Sequence, residues 1–285
     1  MIAVVIPIFN EEDTIKYLIT EVSNHCDFVV AVNDASTDKS GEILNNIKSN
    51  KLIIFENKNN LGIGGATKKG IKIAIENKAD IIVKFDADGQ HLADDIPKFI
   101  EQIINNDFDF VKGNRFKLSI SQMPLVKLFG NLITTNLQKI VTGNFKISDP
   151  NNGFIAFKSE IFNFININNL RDDYFFENSF LMYLKIFKFK IAEIPIKTIY
   201  GKEVSSIPII LGSLKLVPIF VSLLYKKNYE NMKQNLSLGS IAFYLLNLLI
   251  LIKLINSTLI STYILLLFTL LYIVIEVINF LNDNQ

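Results

Sequence analysis

The chain has 285 residues, room for one or two domains with a sizeable core, and its 29 Lys and Arg against 28 Asp and Glu give a formal net charge of +1, which exerts no bulk pull on nucleic acid. Its single cysteine, Cys26, excludes an internal disulfide and a cysteine-rich zinc site, and two histidines, His25 and His91, are too few for a histidine-rich metal centre. Hydrophobic residues make up 49% of the chain, high for a wholly soluble protein, and the excess is concentrated toward the C-terminal end.

Ile2 to Ile8 is an apolar run containing Pro7, followed by polar Asn10, Glu11, Glu12 and Asp13 and then by helical spacing through Ile15, Leu18, Ile19 and Val22. No basic segment or cleavage site precedes Ile2, so no secretory signal is expected, and residues 1–206 are expected in the cytosol. A second strand is predicted over Phe28 to Val32, with the exit Asn33-Asp34-Ala35-Ser36-Thr37-Asp38 and helical positions Ile43, Leu44 and Ile47. A third strand, Leu52 to Phe55, leads through an Asn-rich loop into a helix carrying Ala66, Ile71, Ile73, Ala74 and Ile75.

Gly62-Ile63-Gly64-Gly65 opens that helix. A dinucleotide fingerprint fails because Thr67 stands at its third glycine position, and no Gly-Lys-Ser/Thr follows to make a P-loop. These glycines are expected to serve a tight turn and close helix packing.

Ile81, Ile82, Val83 and Phe85 predict a short buried strand that ends in Asp86-Ala87-Asp88-Gly89-Gln90-His91. In an extended segment alternate residues share a side, so Asp86 and Asp88 are expected to face one hard cation with Gln90 adding a neutral oxygen. Two carboxylates and an amide suit Mg²⁺ or Mn²⁺, which complete their shells with water and substrate phosphate. Solvated turn acids are the plain alternative. Strands alternating with helices argue for a mostly parallel α/β sheet covered on both faces, with ligands outside the carboxyl ends of the strands.

Further along, Ile96 to Ile104 predicts a helix and Phe108 to Val111 a strand ending in Lys112-Gly113-Asn114-Arg115-Phe116. Arg115 is the only arginine before Arg171 in a lysine-rich chain, and its fork suits bidentate phosphate or carboxylate binding, a surface salt bridge being the alternative. Met123 to Val141 predicts a helix carrying Lys127, Ile155 to Phe157 a strand, Tyr174 to Phe187 a helix containing Glu177, and Ile191 to Ile196 a last strand. The loop Tyr200 to Ser206 is expected either to fold over a ligand or to link to the C-terminal part.

Three regions are expected: a domain over 1–206, juxtamembrane helices lying in the interface over 207–233, with a third span over 207–224 as the alternative, and two transmembrane helices over 234–285. The apolar runs Leu236 to Ile255 and Leu259 to Leu281 each approach the ~20 residues a bilayer requires. Lys226, Lys227 and Lys233 precede the first run and place that side in the cytosol, so both termini are expected there.

Pro7-Ile8-Phe9-Asn10-Glu11, Asn33 to Asp38, Asp86 to His91, Gly113 to Phe116, Asp149-Pro150 with Gly153-Phe154, and Glu193 to Ile196 occur in one order over about residues 1–206. As a set they resemble family-2 glycosyltransferases, more narrowly the dolichyl- or polyprenyl-phosphate sugar transferases. The resemblance implies a nucleotide-sugar-binding, glycosyltransferase A-type (Rossmann-like) fold and an inverting transfer from a GDP- or UDP-linked sugar to a polyprenyl phosphate. It assigns Pro7, Asn10, Glu11, Asp34 and Asp86 to the nucleotide sugar and Asp86, Asp88 and Gln90 to the metal. It also places Arg115, with Lys127 by a looser alignment, on the acceptor phosphate. Glu177 stands where relatives that glycosylate hydroxyls carry a base. The late loop departs from the family, with Tyr200-Gly201-Lys202 where an arginine often precedes a Gly-x-Ser.

Two other functions compete: the same donor chemistry on a sugar hydroxyl, and a non-catalytic membrane scaffold. Donor base and self-association stay open at this level.

Overall fold

The computed structural model describes residues 1–118, 135, 138, 139, 142, 144, 146–199, 209–235, 238–255, 269, 272 and 274. Strands β1 (Ile2–Ile8), β2 (Phe28–Asn33), β3 (Leu52–Glu56) and β4 (Ile81–Lys84) alternate with helices α1 (Ile15–Ser23), α2 (Ser40–Asn46) and α3 (Gly62–Glu76). Helix α4 (Ile96–Asn105) follows, then β5 (Phe110–Asn114), β6 (Ile155–Lys158), α5 (Phe176–Ile186) and β7 (Ile191–Pro195). Helices α6 (Ile209–Asn235) and α7 (Leu238–Ile255) end the described chain.

The strands form one seven-stranded sheet in the order β3-β2-β1-β4-β6-β5-β7. Pairs β1–β2, β1–β4, β2–β3 and β5–β7 are parallel, whereas β6 is antiparallel to both neighbours. The expected mostly parallel sheet is therefore present with one reversed strand, and the exits of β1 to β4 share one edge.

Period-two alternation divides the buried residues between two layers. Val4, Ile6, Ile8, Val29, Ala31 and Val83 pack with Ile15, Leu18, Ile19 and Val22 of α1 and with Ile96, Phe99, Ile100 and Ile103 of α4. Ala3, Val5, Val30, Val32 and Ile82 face the other way, against α3 and α5. Helix α3 comes very close to the sheet because Gly70 lacks a side chain: a Cβ there would lie 2.3 Å from Val5 Cγ1. Nearly all of α5 is buried, as expected for a helix that is apolar on most sides.

Several boundaries differ from the periodicity. Strand β4 ends at Lys84, so Phe85 lies outside it, and β5 begins at Phe110 rather than Phe108. Ile75, expected in the core, is exposed on the outer side of α3. The stretch 209–235 is one helix with Pro218 inside it. Its buried Leu223 joins the core layer containing α5, and Lys226 donates to the Asn169 carbonyl at 2.6 Å. Lys226 is thus turned onto the sheet domain and Lys227 is buried.

Within the first expected span, Leu238–Ile255 is helical. Among the described residues no helix is long and apolar enough to cross a membrane. The second expected span lies outside the described residues apart from 269, 272 and 274. Lys127 and the loop 200–206 lie outside them as well.

Candidate active site

The site lies where β1 and β4 part. Their ladder runs from Ile2↔Ile81 to Val5↔Lys84, after which Phe85 N donates to Val5 O at 3.0 Å. Beyond that point, among the described residues, β1 continues with β2 as its only strand partner, in the register Pro7↔Val32 and Ile8↔Asn33. Pro7, which lacks an N–H, is accommodated there because β1 no longer has a strand on its other side.

The β1 and β2 exits are clipped together. Asn10 has a left-handed backbone with φ 58°, its N–H donates to Ser36 Oγ at 3.1 Å, and its Oδ1 accepts from the Thr37 N–H at 2.8 Å. Asparagine tolerates this backbone better than most residues. Glu11 N donates to Ser40 Oγ at 2.8 Å. Asp34 is buried, and its Oδ1 accepts from Asn57 Nδ2 at 2.7 Å and from Leu61 N at 2.9 Å. This carboxylate therefore braces the β2 exit against the loop that enters α3. The Gly62 to Gly65 turn packs on the backbone of 171–172: Gly65 N donates to Asp172 O at 2.9 Å, and a Cβ at Gly64 would lie 2.4 Å from Arg171 O. These glycines serve close packing, as expected.

The acid motif corrects one expectation. Asp86 to Gln90 form a turn rather than an extended run, with Gly89 at φ +71°. Asp88 Oδ1 accepts from the Gln90 N–H at 3.0 Å, a local bond that competes with strand pairing. Strand alternation consequently does not orient the two acids. Thr14 Oγ1 donates to Ala87 O at 2.6 Å and ties the turn to α1, and Ile199 N donates to Gln90 O at 3.0 Å.

Asp86 has a partner that periodicity did not single out. Lys84 follows Ile82 on the β4 face covered by α5, and its side chain is only 1% exposed. Its Nζ donates to Asp86 Oδ1 at 2.6 Å and to Glu177 Oε1, in the first turn of α5, at 2.7 Å. Burial alone lowers the ammonium pKa, but the two carboxylates outweigh it and hold Lys84 well above the usual lysine range. Burial likewise raises Asp86, yet Lys84 first and His91 second bring its carboxyl below the usual range. Asp86 Oδ2 lies against Gly153, where a Cβ would come within 1.9 Å. His91 Nε2 is 4.0 Å from the same oxygen, and burial pushes its imidazole down to about 4, so it is neutral at pH 7. Its ring packs on Phe154, which stacks on Phe99 of α4 with centroids 4.0 Å apart.

Lys112 is a second buried lysine that apolar periodicity does not mark. It is fully buried on β5, donates to the Asn152 carbonyl, and is depressed by burial to about 8.

The Arg115 fork meets a carboxylate of its own chain. Nε donates to Asp149 Oδ2 and Nη2 to Asp149 Oδ1, both at 2.8 Å, and the Arg115 N–H reaches Oδ2 at 3.1 Å. Burial raises Asp149, and Arg115 more than offsets this. Glu193 Oε1 accepts the N–H groups of Ser148 and Asp149 at 2.8 and 3.0 Å, while its Oε2 accepts from Asn114 Nδ2 at 3.0 Å. Three separated motifs thus meet in one buried ion-pair cluster, with Asp149 fully buried and Arg115 only 14% exposed. The salt-bridge alternative for Arg115 is thus realised, within the fold rather than at the surface.

The structure therefore gathers Asp86, Asp88, Gln90 and Glu177 around the β4 exit, sets Pro7, Asn10, Glu11 and Asp34 at the neighbouring exits, and puts Arg115 beyond β6, just past the end of β5. Among the described residues no three His, Cys, Asp or Glu side chains converge to hold a metal on their own. The β4 turn offers two carboxylates and an amide, an all-oxygen set matching a hard divalent cation that takes further ligands from phosphate and water.

The model of "Glycosyl transferase family 2" matches residues 3–165. A UDP-N-acetylglucosamine–dolichyl-phosphate N-acetylglucosaminyltransferase from Methanococcus voltae is 36% identical over 217 residues, 70% of this chain and 86% of that protein. A dolichol-phosphate mannosyltransferase from Pyrococcus furiosus is 26% identical over 175 residues, 59% of this chain and 49% of that protein. Among solved structures, glucosyl-3-phosphoglycerate synthase from Mycobacterium tuberculosis, in complex with Mn²⁺, uridine diphosphate and glucosyl-3-phosphoglycerate, has a TM-score of 0.55 at 16% identity. That match covers 80% of this chain and 79% of that one. A mostly parallel sheet whose β1 exit lies beside an acid turn, together with a family match over more than half of the chain, gives one conclusion: the chain belongs to glycosyl transferase family 2.

Proposed function

We propose that the protein is a membrane-bound inverting glycosyltransferase that moves a sugar from a nucleoside diphosphate sugar to a polyprenyl phosphate. The observation that carries this reading is the similarity to the Methanococcus dolichyl-phosphate N-acetylglucosaminyltransferase over 86% of that protein. Uridine donors are the first to test, because that relative's name specifies one. The apolar residues within 234–285 would form two spans that return to the cytosolic side.

The chemistry asks little of the protein by way of proton transfer. A phosphate acceptor is already ionised at neutral pH, so one of its oxygens attacks the anomeric carbon from the face opposite the departing diphosphate. Asp86, Asp88 and Gln90 would hold a Mg²⁺ or Mn²⁺ ion, which when bound supplies neutralising charge for the leaving diphosphate. The clipped β1 and β2 exits position the nucleotide. Arg115, aimed by Asp149, presents positive charge on the acceptor side together with Lys127.

The hydroxyl-acceptor alternative needs a free general base. Glu177 is a poor one, since its carboxylate is buried and ion-paired with Lys84 at 2.7 Å. The scaffold alternative leaves the assembled acid turn and buried charge clusters without a task.

The test supplies membranes carrying the protein with undecaprenyl or dolichyl phosphate and a panel of labelled nucleotide sugars, and counts lipid-extractable label. A divalent-cation-dependent lipid product with one donor is expected. Transfer to a soluble or glycan hydroxyl in its place, or no product with any donor, overturns the reading.

A further inference from the structure

Lys84 places one positive charge between two negative ones in a nearly dry environment. Its Nζ is 2.6 Å from Asp86 Oδ1 and 2.7 Å from Glu177 Oε1, with side-chain exposures of 1%, 18% and 8% for Lys84, Asp86 and Glu177. The three side chains together carry a net charge of −1. Asp86 is a donor assigned to the divalent cation in the reading above, on which this inference rests. Its other oxygen, Oδ2, lies against Gly153 with His91 Nε2 at 4.0 Å. An ion approaching this carboxylate therefore meets a group already half neutralised from within the fold.

We propose that Lys84 is an internal counter-cation of the metal site, and that Glu177, by sharing Lys84, sets how tightly Asp86 and its neighbours hold a divalent cation. Both would act as positioning residues, through Asp86 rather than on the substrate. The signs follow from Coulomb's law at short range in a medium less screening than water. Without the Glu177 charge, Lys84 belongs wholly to Asp86 and the site loses negative charge. Without the Lys84 charge, Asp86 presents its full charge to the ion. A role confined to holding α5 on the sheet predicts something else, because losing either member of a buried pair destabilises the fold in the same direction.

The experiment titrates the full-length protein in detergent with Mn²⁺ alone, reading free Mn²⁺ by electron paramagnetic resonance, alongside a thermal melt. Glu177→Gln should weaken Mn²⁺ binding by about tenfold and Lys84→Met should tighten it by about tenfold, while Lys84→Arg stays near wild type. Should Lys84→Met fail to fold, the double variant Lys84→Met/Glu177→Gln restores the net charge of −1 without the internal cation, and it should bind more tightly than Glu177→Gln alone. Weakening in both single variants in step with their melting temperatures, or no change in any variant, overturns the inference and leaves the metal reading intact. Absence of Mn²⁺ binding by the wild-type protein removes the metal reading, and the inference with it.

Discussion

Lys84 of β4 and Lys112 of β5 are both paired in register with Ile155 of β6, so two buried ammonium groups flank one apolar residue on the face covered by α5. Their environments differ in one respect. Lys84 has carboxylates on two sides, whereas Lys112 donates to the Asn152 carbonyl and has Glu177 and Asp149 only at longer range.

That difference gives a pH signature. Burial holds the folded pKa of Lys112 at about 8, below its unfolded value near 10.5. Between those values the unfolded chain binds the proton and the native state does not, so this group's contribution to stability rises with pH. From pH 7 to pH 9 it adds about 1 kcal/mol. Urea denaturation at both pH values should show this gain in wild type relative to Lys112→Met; equal slopes for the two proteins would refute it.

Glu177→Gln separates the acceptor classes. At saturating metal, turnover onto polyprenyl phosphate should stay within about tenfold of wild type, because the acceptor needs no base. Loss of a general base costs about 10²–10⁴-fold. Initial rates with saturating donor and acceptor decide the matter.

Gly153→Ala should be severe for its size. The added methyl would come within 1.9 Å of Asp86 Oδ2 and 2.6 Å of Lys84 Nζ, so the carboxylate must leave its place. Overpacking of this kind costs about 1–3 kcal/mol. Activity should fall further than stability does, which denaturation midpoints and rates measured on the same preparation will show.

Asp34→Ala removes the acceptor used by Asn57 Nδ2 and the Leu61 N–H. Asn57 is buried, and leaving its Nδ2 donor without a partner costs about 1–3 kcal/mol. The β2 and β3 exits should loosen together, and calorimetry should show UDP affinity reduced by about tenfold. Unchanged UDP affinity in a destabilised variant would confine Asp34 to bracing.

The strands and helices that frame the site were legible because their apolar periodicity is strong. Ile15, Leu18, Ile19 and Val22 are the buried residues of α1, and the strand bounds differ from expectation by at most three residues. The reversal of β6 was not legible, since direction within a sheet leaves no mark on the side-chain alternation of a fully buried strand. The Asp86 to Gln90 turn does not follow strand alternation, because its geometry comes from one local hydrogen bond, Gln90 N–H to Asp88, and from Gly89.

By itself the sequence determined the alternating α/β order, the acid-bearing strand exit and the family resemblance, because apolar periodicity and short-range residue order are local properties. Only the tertiary structure decided what the charged groups do. Lys84 and Glu177 are 93 positions apart and Arg115 and Asp149 are 34 apart, and no local pattern announces such pairs. Lys84 keeps its charge inside a buried strand because two carboxylates face it, Asp86 from two positions further on and Glu177 from a distant helix that only the packed fold brings near. The physical reason is desolvation: removing charge from water forces pairing, and pairing over long separations is settled when the layers pack.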